Sequence, residues 1–350
     1  MMDLAGDLET TYENVLTRYQ GDKPGAAFAL IKNSEILLSK CVGMANMEKK
    51  IPVSSSTNFR LASVTKQFTA MCIMILEEKG KLSYRDTLRD VMPKFPHYAD
   101  SITILDMLQH TSGLRSYDDL TPKDFEGQLR DGDVYRMLVE QESTLFIPGT
   151  RYLYSNDAYV LLGLIIERVS GVSFSEFMTR EIFSKIGMKN SVLHDEGTTN
   201  IKNRAYGYAW MDEKFIFKDQ GQATLLLGDG GVYTNLDDMY IWDQALYSEK
   251  LVSRGTMQKA YTRGTLTSGE ETHYGYGWHL AKVHGFDVVY HGGSTSGFRN
   301  LYLRVPKVKL STILLTNRSS IDLDFGVPVT DFKTGIELIL TDLLPYLEAS

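Results

Sequence analysis

Asn58-Phe59-Arg60-Leu61-Ala62-Ser63-Val64-Thr65-Lys66-Gln67-Phe68 leads from a loop rich in Ser and Thr, Ser54 to Asn58, into a segment with helical periodicity. Phe68, Met71, Cys72, Ile75 and Leu76 fall at i, i+3, i+4, i+7 and i+8, which predicts a helix starting near Ser63. Ile73 and Met74 are apolar as well, so the helix is expected to be buried on most sides, with Gly80 as its C-terminal cap. Residues three apart share a helix face, which puts Ser63 beside Lys66. The first turn of a helix has unpaired N–H groups and partial positive charge, which favours an oxyanion and disfavours a protonated lysine. A dry cleft lowers the lysine pKa further, and a neutral lysine can accept a serine proton. The plainer alternative is a Ser cap followed by a surface lysine, because S-x-x-K is a weak pattern by itself.

On the N-terminal side, residues 5–20 have helical spacing. Ala26 to Ile31 and Ile36 to Leu38 flank a short polar turn and predict a β-hairpin. On the C-terminal side the pattern stays helical to about residue 190, with Pro and Gly marking turns. Asn156 or Asp157 is expected to cap a helix that ends at Gly171, and Asn235 with Asp237 and Asp238 to start one through Trp242 and Leu246. Four strand-like runs follow at 276–283, 286–291, 300–305 and 309–316, and Ile336 to Leu347 reads as a last helix. Strands therefore open and close the chain around a helical middle. The expected class is α+β, with a single domain over 5–347. Residues 5–60 and 230–347 would form an α/β lobe, 61–229 a mainly helical lobe, and the active site would lie between them.

Two further stretches carry chemistry. Tyr154-Ser155-Asn156 follows the turn Pro148-Gly149 and precedes a helix. A tyrosine beside a cationic lysine would have a lowered pKa and shuttle a proton, and the Asn156 amide can hold a substrate carbonyl or orient the lysine. His291-Gly292-Gly293-Ser294 ends the run Asp287 to Tyr290. Paired glycines at a strand edge admit a ligand backbone, and the Ser294 N–H can join that of Ser63 as an oxyanion hole. Each stretch alone also reads as ordinary structure: a packed loop tyrosine with an Asn cap, or a tight turn.

The 350 residues are 43% hydrophobic and 23% charged, with a formal net charge of -7, which is ordinary for a globular enzyme and argues against a nucleic-acid partner. Two cysteines, Cys41 and Cys72, make no disulfide framework or metal motif. Met1 to Tyr12 lacks an apolar signal-peptide core and no run of about 18 apolar residues occurs, so a cytoplasmic location without a membrane partner is expected. His110, His273, His279 and His284 lack metal-ligand spacing and read as structural. The alternating Tyr274, Tyr276 and Trp278 suit strand packing or a pocket wall. No metal or cofactor is expected.

The three boxes in this order resemble the penicillin-recognising serine hydrolases, in the class C β-lactamase-like branch that includes D,D-peptidases, D-aminopeptidases and family VIII carboxylesterases. Asn58 to Ala62, His110-Thr111-Ser112-Gly113-Leu114 and Gly230-Gly231-Val232-Tyr233-Thr234 match as well. The resemblance implies a β-lactamase/transpeptidase-like fold with Ser63, Lys66 and Tyr154 catalytic, and with Asn156, His291, Gly293 and Ser294 binding substrate. It implies an acyl-enzyme on Ser63 and hydrolysis of an ester, amide or short D-residue peptide. A literal Lys333-Thr334-Gly335 competes for the third box, but only a helix follows it, whereas two strands and that helix follow His291. His291 and Gly292 stand where the lactamase pattern has a lysine and a threonine that bind the substrate carboxylate. Weak or absent β-lactamase activity is the expectation. A penicillin-binding sensor acylated without turnover, and a true β-lactamase or D,D-carboxypeptidase, are the alternatives.

Overall fold

A computed structural model of the chain describes residues 16–195 and 199–319. Most of the 5–20 helix, the Ile336 to Leu347 helix and Lys333-Thr334-Gly335 lie outside these residues. The expected hairpin is present as β1 (Ala26–Lys32) and β2 (Glu35–Val42). Short strands β3 (Met44–Asn46), β4 (Ile51–Pro52), β5 (Phe59–Arg60) and β6 (Val192–Leu193) follow, then β7 (Tyr208–Met211), β8 (Lys214–Phe217) and β9 (Val232–Thr234). The closing strands are β10 (His279–Val283), β11 (Phe286–Thr295), β12 (Phe298–Val305) and β13 (Leu310–Thr316). Six strands form one antiparallel sheet in the order β10-β11-β12-β13-β1-β2.

β1 and β13 are buried along their whole length, which explains their continuous apolar runs. Side chains alternate between faces. Ala27, Ala29 and Ile31 join the core shared with the central helices, and Ala26, Phe28 and Leu30 join a second layer with Leu16 and Tyr19. Three helices position the site: α1 (Lys66–Glu78), α2 (Asn156–Ser170) and α3 (Leu236–Ala245). α1 is buried from Lys66 through Leu76, as its unbroken apolar run predicts, and packs on α2. Its polar side chains tie it down. Thr69 Oγ1 donates to Gly228 O at 2.7 Å, and Gln67 Oε1 accepts from Trp242 Nε1 at 3.1 Å.

Five local expectations change. Ser63 sits in a 3-10 turn, Ala62–Thr65, and α1 proper begins at Lys66. The cap of α2 is Ser155, whose side chain accepts from Ala158 N–H at 3.1 Å, while Gly171 ends the helix in the left-handed region as expected. Tyr274 to Trp278 form a loop, with Gly277 at φ +76°, so the alternation of Tyr274, Tyr276 and Trp278 is core packing outside a strand. β11 continues to Thr295, which places the third box inside a strand. The hairpin β7–β8 in the supposedly helical middle turns through Asp212 and Glu213, both at positive φ, without the Gly or Asn that announces such a turn.

Candidate active site

The nucleophile region is set by three close backbone approaches. β5 pairs with β9 at Phe59↔Thr234 and Arg60↔Tyr233, and Leu61 N–H donates to Val232 O at 2.8 Å. Ala62 then takes φ +50°, a conformation that L-residues adopt at a cost of about 1–2 kcal/mol. That bend carries the chain sharply from β5 into the Ser63 turn. On the sheet side, a Cβ on Gly293 would lie 2.0 Å from Leu61 O and 3.3 Å from Ser63 N. Only glycine lets β11 seat against the turn, and Asn300 Nδ2 secures the contact by donating to Arg60 O at 2.8 Å. Ser294, the next residue, is exposed at this junction. Gly277 approaches from a third side, where a Cβ would fall 2.7 Å from Lys66 O.

Lys66 is completely buried. Its Nζ lies 2.8 Å from Asn156 Oδ1, 3.0 Å from Asp229 O and 3.1 Å from Ser63 Oγ. The first two are carbonyl oxygens, which only accept. Two lysine hydrogens are therefore always directed at Asn156 and Asp229. The remaining tetrahedral position faces Ser63 Oγ, as an N–H when the lysine is charged and as a lone pair when it is neutral. Burial lowers the Lys66 pKa to about 8, against the pull of Asp229 and Asp157 in the other direction. About a tenth of the lysine is then the free base at pH 7.

Tyr154 approaches Ser63 from the other side. Its pKa is raised, contrary to the expectation of a lowered one. Burial of the hydroxyl is the main cause, and the Ser63 hydrogen bond only partly offsets it. The lysine charge lies over the ring face, 4.9 Å from the centroid, and does not sit at the oxygen. Tyr154 is thus held as a neutral phenol that can donate a proton.

His291 is buried, and its side chain is turned to protein partners, which revises the expectation of substrate contact. Nδ1 is 2.7 Å from the Gly292 carbonyl and must donate to it; Nε2 then accepts from the Tyr274 hydroxyl at 2.8 Å. Burial holds the imidazole far below its usual pKa, so it stays neutral and offers no cation to a carboxylate. His110 has the structural part expected of it. Its Nδ1 accepts the Ser155 N–H at 3.0 Å, and its ring lies 4.2 Å from that of Tyr154, which steadies the second box.

Residues missed from the sequence complete the site. Asp229 and Asp157 are buried behind Lys66, and burial raises the pKa of both, that of Asp157 to about 8. The only signal was Asp229 standing immediately before the quoted Gly230-Gly231. Among the described residues no group of His, Cys, Asp or Glu is arranged to hold a metal ion.

This geometry can be set beside known proteins. Residues 8–326 match the Beta-lactamase family. Penicillin-binding protein 4* of Bacillus subtilis is 31% identical, covering 89% of this chain and 71% of its own length. A D-aminopeptidase of Gluconobacter oxydans is also 31% identical over 89% of this chain, which spans 59% of that protein. The solved octameric penicillin-binding protein homologue from Pyrococcus abyssi superposes with a TM-score of 0.80 at 26% identity, covering 98% of this chain and 78% of its own. The overall fold is thus a shared one, and the chain belongs to the Beta-lactamase family as one of its serine hydrolases.

Proposed function

We propose that the protein hydrolyses ester or amide bonds of small acyl compounds through an acyl-enzyme on Ser63. The observation that carries this reading is the placement of Lys66, whose one uncommitted valence points at Ser63 Oγ. The neutral amine takes the serine proton as Oγ attacks the carbonyl. The backbone N–H groups of Ser63 and Ser294 receive the oxyanion. Tyr154, a neutral phenol, donates its proton to the leaving group; in deacylation the phenolate takes a proton from the attacking water while Lys66 returns its proton to Ser63 Oγ as the acyl bond breaks. Water then enters by the reverse route. Asn156 orients Lys66, and Gly293 keeps β11 against the nucleophile. His291 supports Tyr274 and supplies no charge for a substrate carboxylate, which disfavours β-lactams and carboxyl-terminal peptides. The D-aminopeptidase relative makes amino-acyl amides the leading class.

The test is a fluorophosphonate probe with the labelled residue identified by mass spectrometry, followed by turnover of p-nitrophenyl esters, D- and L-amino-acid p-nitroanilides and nitrocefin. Labelling of Ser63 with turnover of esters or p-nitroanilides is expected. Labelling elsewhere, a stable acyl-enzyme without turnover, or nitrocefin as the best substrate overturns the reading.

A further inference from the structure

The proposed chemistry uses the hydroxyl of Tyr154 and leaves the surface beside its ring without a role. That ring is the first of three with nearly parallel planes. His279 lies 6.2 Å from Tyr154 between centroids, at 7°, and His273 lies 6.2 Å from His279, at 11°. Parallel rings that far apart overlap little, so each leaves part of its face uncovered by the next. Tyr152 closes the row, 4.5 Å from His273 at 56°. His273 is exposed, and Tyr152, Tyr154 and His279 are half-buried, so the row forms a surface of the site.

The backbone holds these rings in place. His279 opens β10 and pairs with Tyr290 of β11, whose ring packs on it at 5.2 Å. The loop before it folds back at Gly277, φ +76°, and Leu280 N–H donates to His273 O at 2.8 Å, which sets the second imidazole beside the first. Both imidazoles are neutral at pH 7. Burial is the main cause of a lowered pKa in each, aided by His273 and Lys66 at His279, which falls to about 3, and by Arg263 at His273. The row therefore presents uncharged ring faces of one orientation. Tyr154 is the proposed donor to the leaving group, so the departing fragment lies against this row, while the acyl carbonyl faces the N–H groups of Ser63 and Ser294. An aliphatic fragment gains contact there, and a planar π-system gains stacking as well.

We infer that His279 and His273, continuing outward from Tyr154, form the leaving-group subsite, and that it selects a planar aromatic leaving group over an aliphatic one of similar size. The inference rests on the proposed acylation of Ser63, and the experiment separates the two. Benzyl acetate and cyclohexylmethyl acetate release alkoxides of similar basicity and share one acyl-enzyme. The ratio of their kcat/KM values, divided by the ratio of their alkaline hydrolysis rates, therefore reads the leaving-group side alone. It is measured for the wild type, for His279→Leu and His273→Leu, which keep apolar bulk and remove the plane, and for His279→Phe, which keeps the plane and removes the nitrogens.

The wild type is expected to favour the benzyl ester by about fivefold or more. Each leucine variant should cut that preference by half or more, and His279→Phe should keep it. A smaller wild-type preference, a preference not halved in a folded leucine variant, or its loss in folded His279→Phe overturns the inference while leaving the acylation of Ser63 standing. Failure to cleave either ester by an enzyme that turns over p-nitrophenyl acetate overturns it in the same way. If the fluorophosphonate probe never labels Ser63, the hydrolase reading fails and takes the inference with it. His273 is exposed, so His273→Leu decides the matter even if the His279 variants do not fold.

Discussion

Arg304 and Lys66 are both fully buried cations, and each lies beside an aspartate. The surroundings of the two differ. At Arg304, Asp243 Oδ1 accepts from Arg304 Nε at 2.9 Å, Tyr302 at 2.7 Å and Ser311 at 2.5 Å. The guanidinium also donates to Tyr261 and to Asp243 O, and stacks 4.3 Å from the Tyr247 ring. At Lys66 the partners are carbonyls and a serine, and Asp229 Oδ1 and His110 Nε2 are left without hydrogen bonds. The first arrangement saturates its charges and joins α3 to the sheet. The second leaves valences open at the place where a reaction is proposed. Folded proteins tolerate such shortfalls mainly where chemistry needs them.

The sharpest way to break this contrast is to delete one group on each side. Ser63→Ala is expected to reduce kcat/KM by about ten-thousand-fold while the thermal transition changes little, read by ester hydrolysis and calorimetry. Asp243→Ala should do the opposite. It strands a buried guanidinium, and denaturant titration should show a loss of about 3–5 kcal/mol, with residual folded protein still labelled at Ser63. If Asp243→Ala were neutral for stability, the claim that this corner is structural would fall.

Tyr154→Phe removes a proton donor without disturbing the cation over its ring. A fall of about a hundredfold in kcat is expected, smaller for p-nitrophenyl esters, whose leaving group needs little protonation. Equal falls for esters and amides would remove Tyr154 from the leaving-group step.

The pH dependence sharpens the contrast further. Lys66 must be neutral to act, and its pKa is near 8, so kcat/KM on a neutral ester should climb about tenfold per pH unit below 8 and level off above it. A flat profile between pH 6 and 9 would exclude Lys66 as the base.

A further effect concerns Asp157, which accepts from Tyr117 N–H at 2.8 Å. Its native pKa is raised to about 8, against 3.8 in the unfolded chain. Below pH 4 both states hold the proton. Between pH 4 and 8 the native state keeps a proton that the unfolded chain releases, so the wild type loses stability as pH rises, and above 8 no more is lost. Asp157→Asn keeps the acceptor and removes the titration. Its melting temperature, relative to wild type, should rise from pH 5 to pH 9.

The parts legible in the sequence are those set by periodicity and local turn chemistry. The hairpin around Asn33, the buried helix after Ser63 and the Asn235 cap each have a signal within a few residues, and so do the Ser63–Lys66 and Tyr154–Asn156 pairs. Asp229 was invisible because its part depends on a loop brought to Lys66 from 163 positions away. The raised pKa of Tyr154 was missed for a related reason. Sequence indicates that a lysine is near, but the sign of the effect depends on whether the charge meets the ring face or the oxygen. The β7–β8 hairpin was hidden by turn residues, Asp212 and Glu213, that do not advertise positive φ.

The enclosure of Lys66 has one more consequence. With no surface open to solvent and two of its valences held by carbonyl oxygens, the amine exchanges protons with its surroundings through a single door, the Ser63 oxygen. In the proposed cycle, the proton that the lysine takes during acylation goes back to that same oxygen when the acyl group leaves, so the two halves run as mirror images of one another.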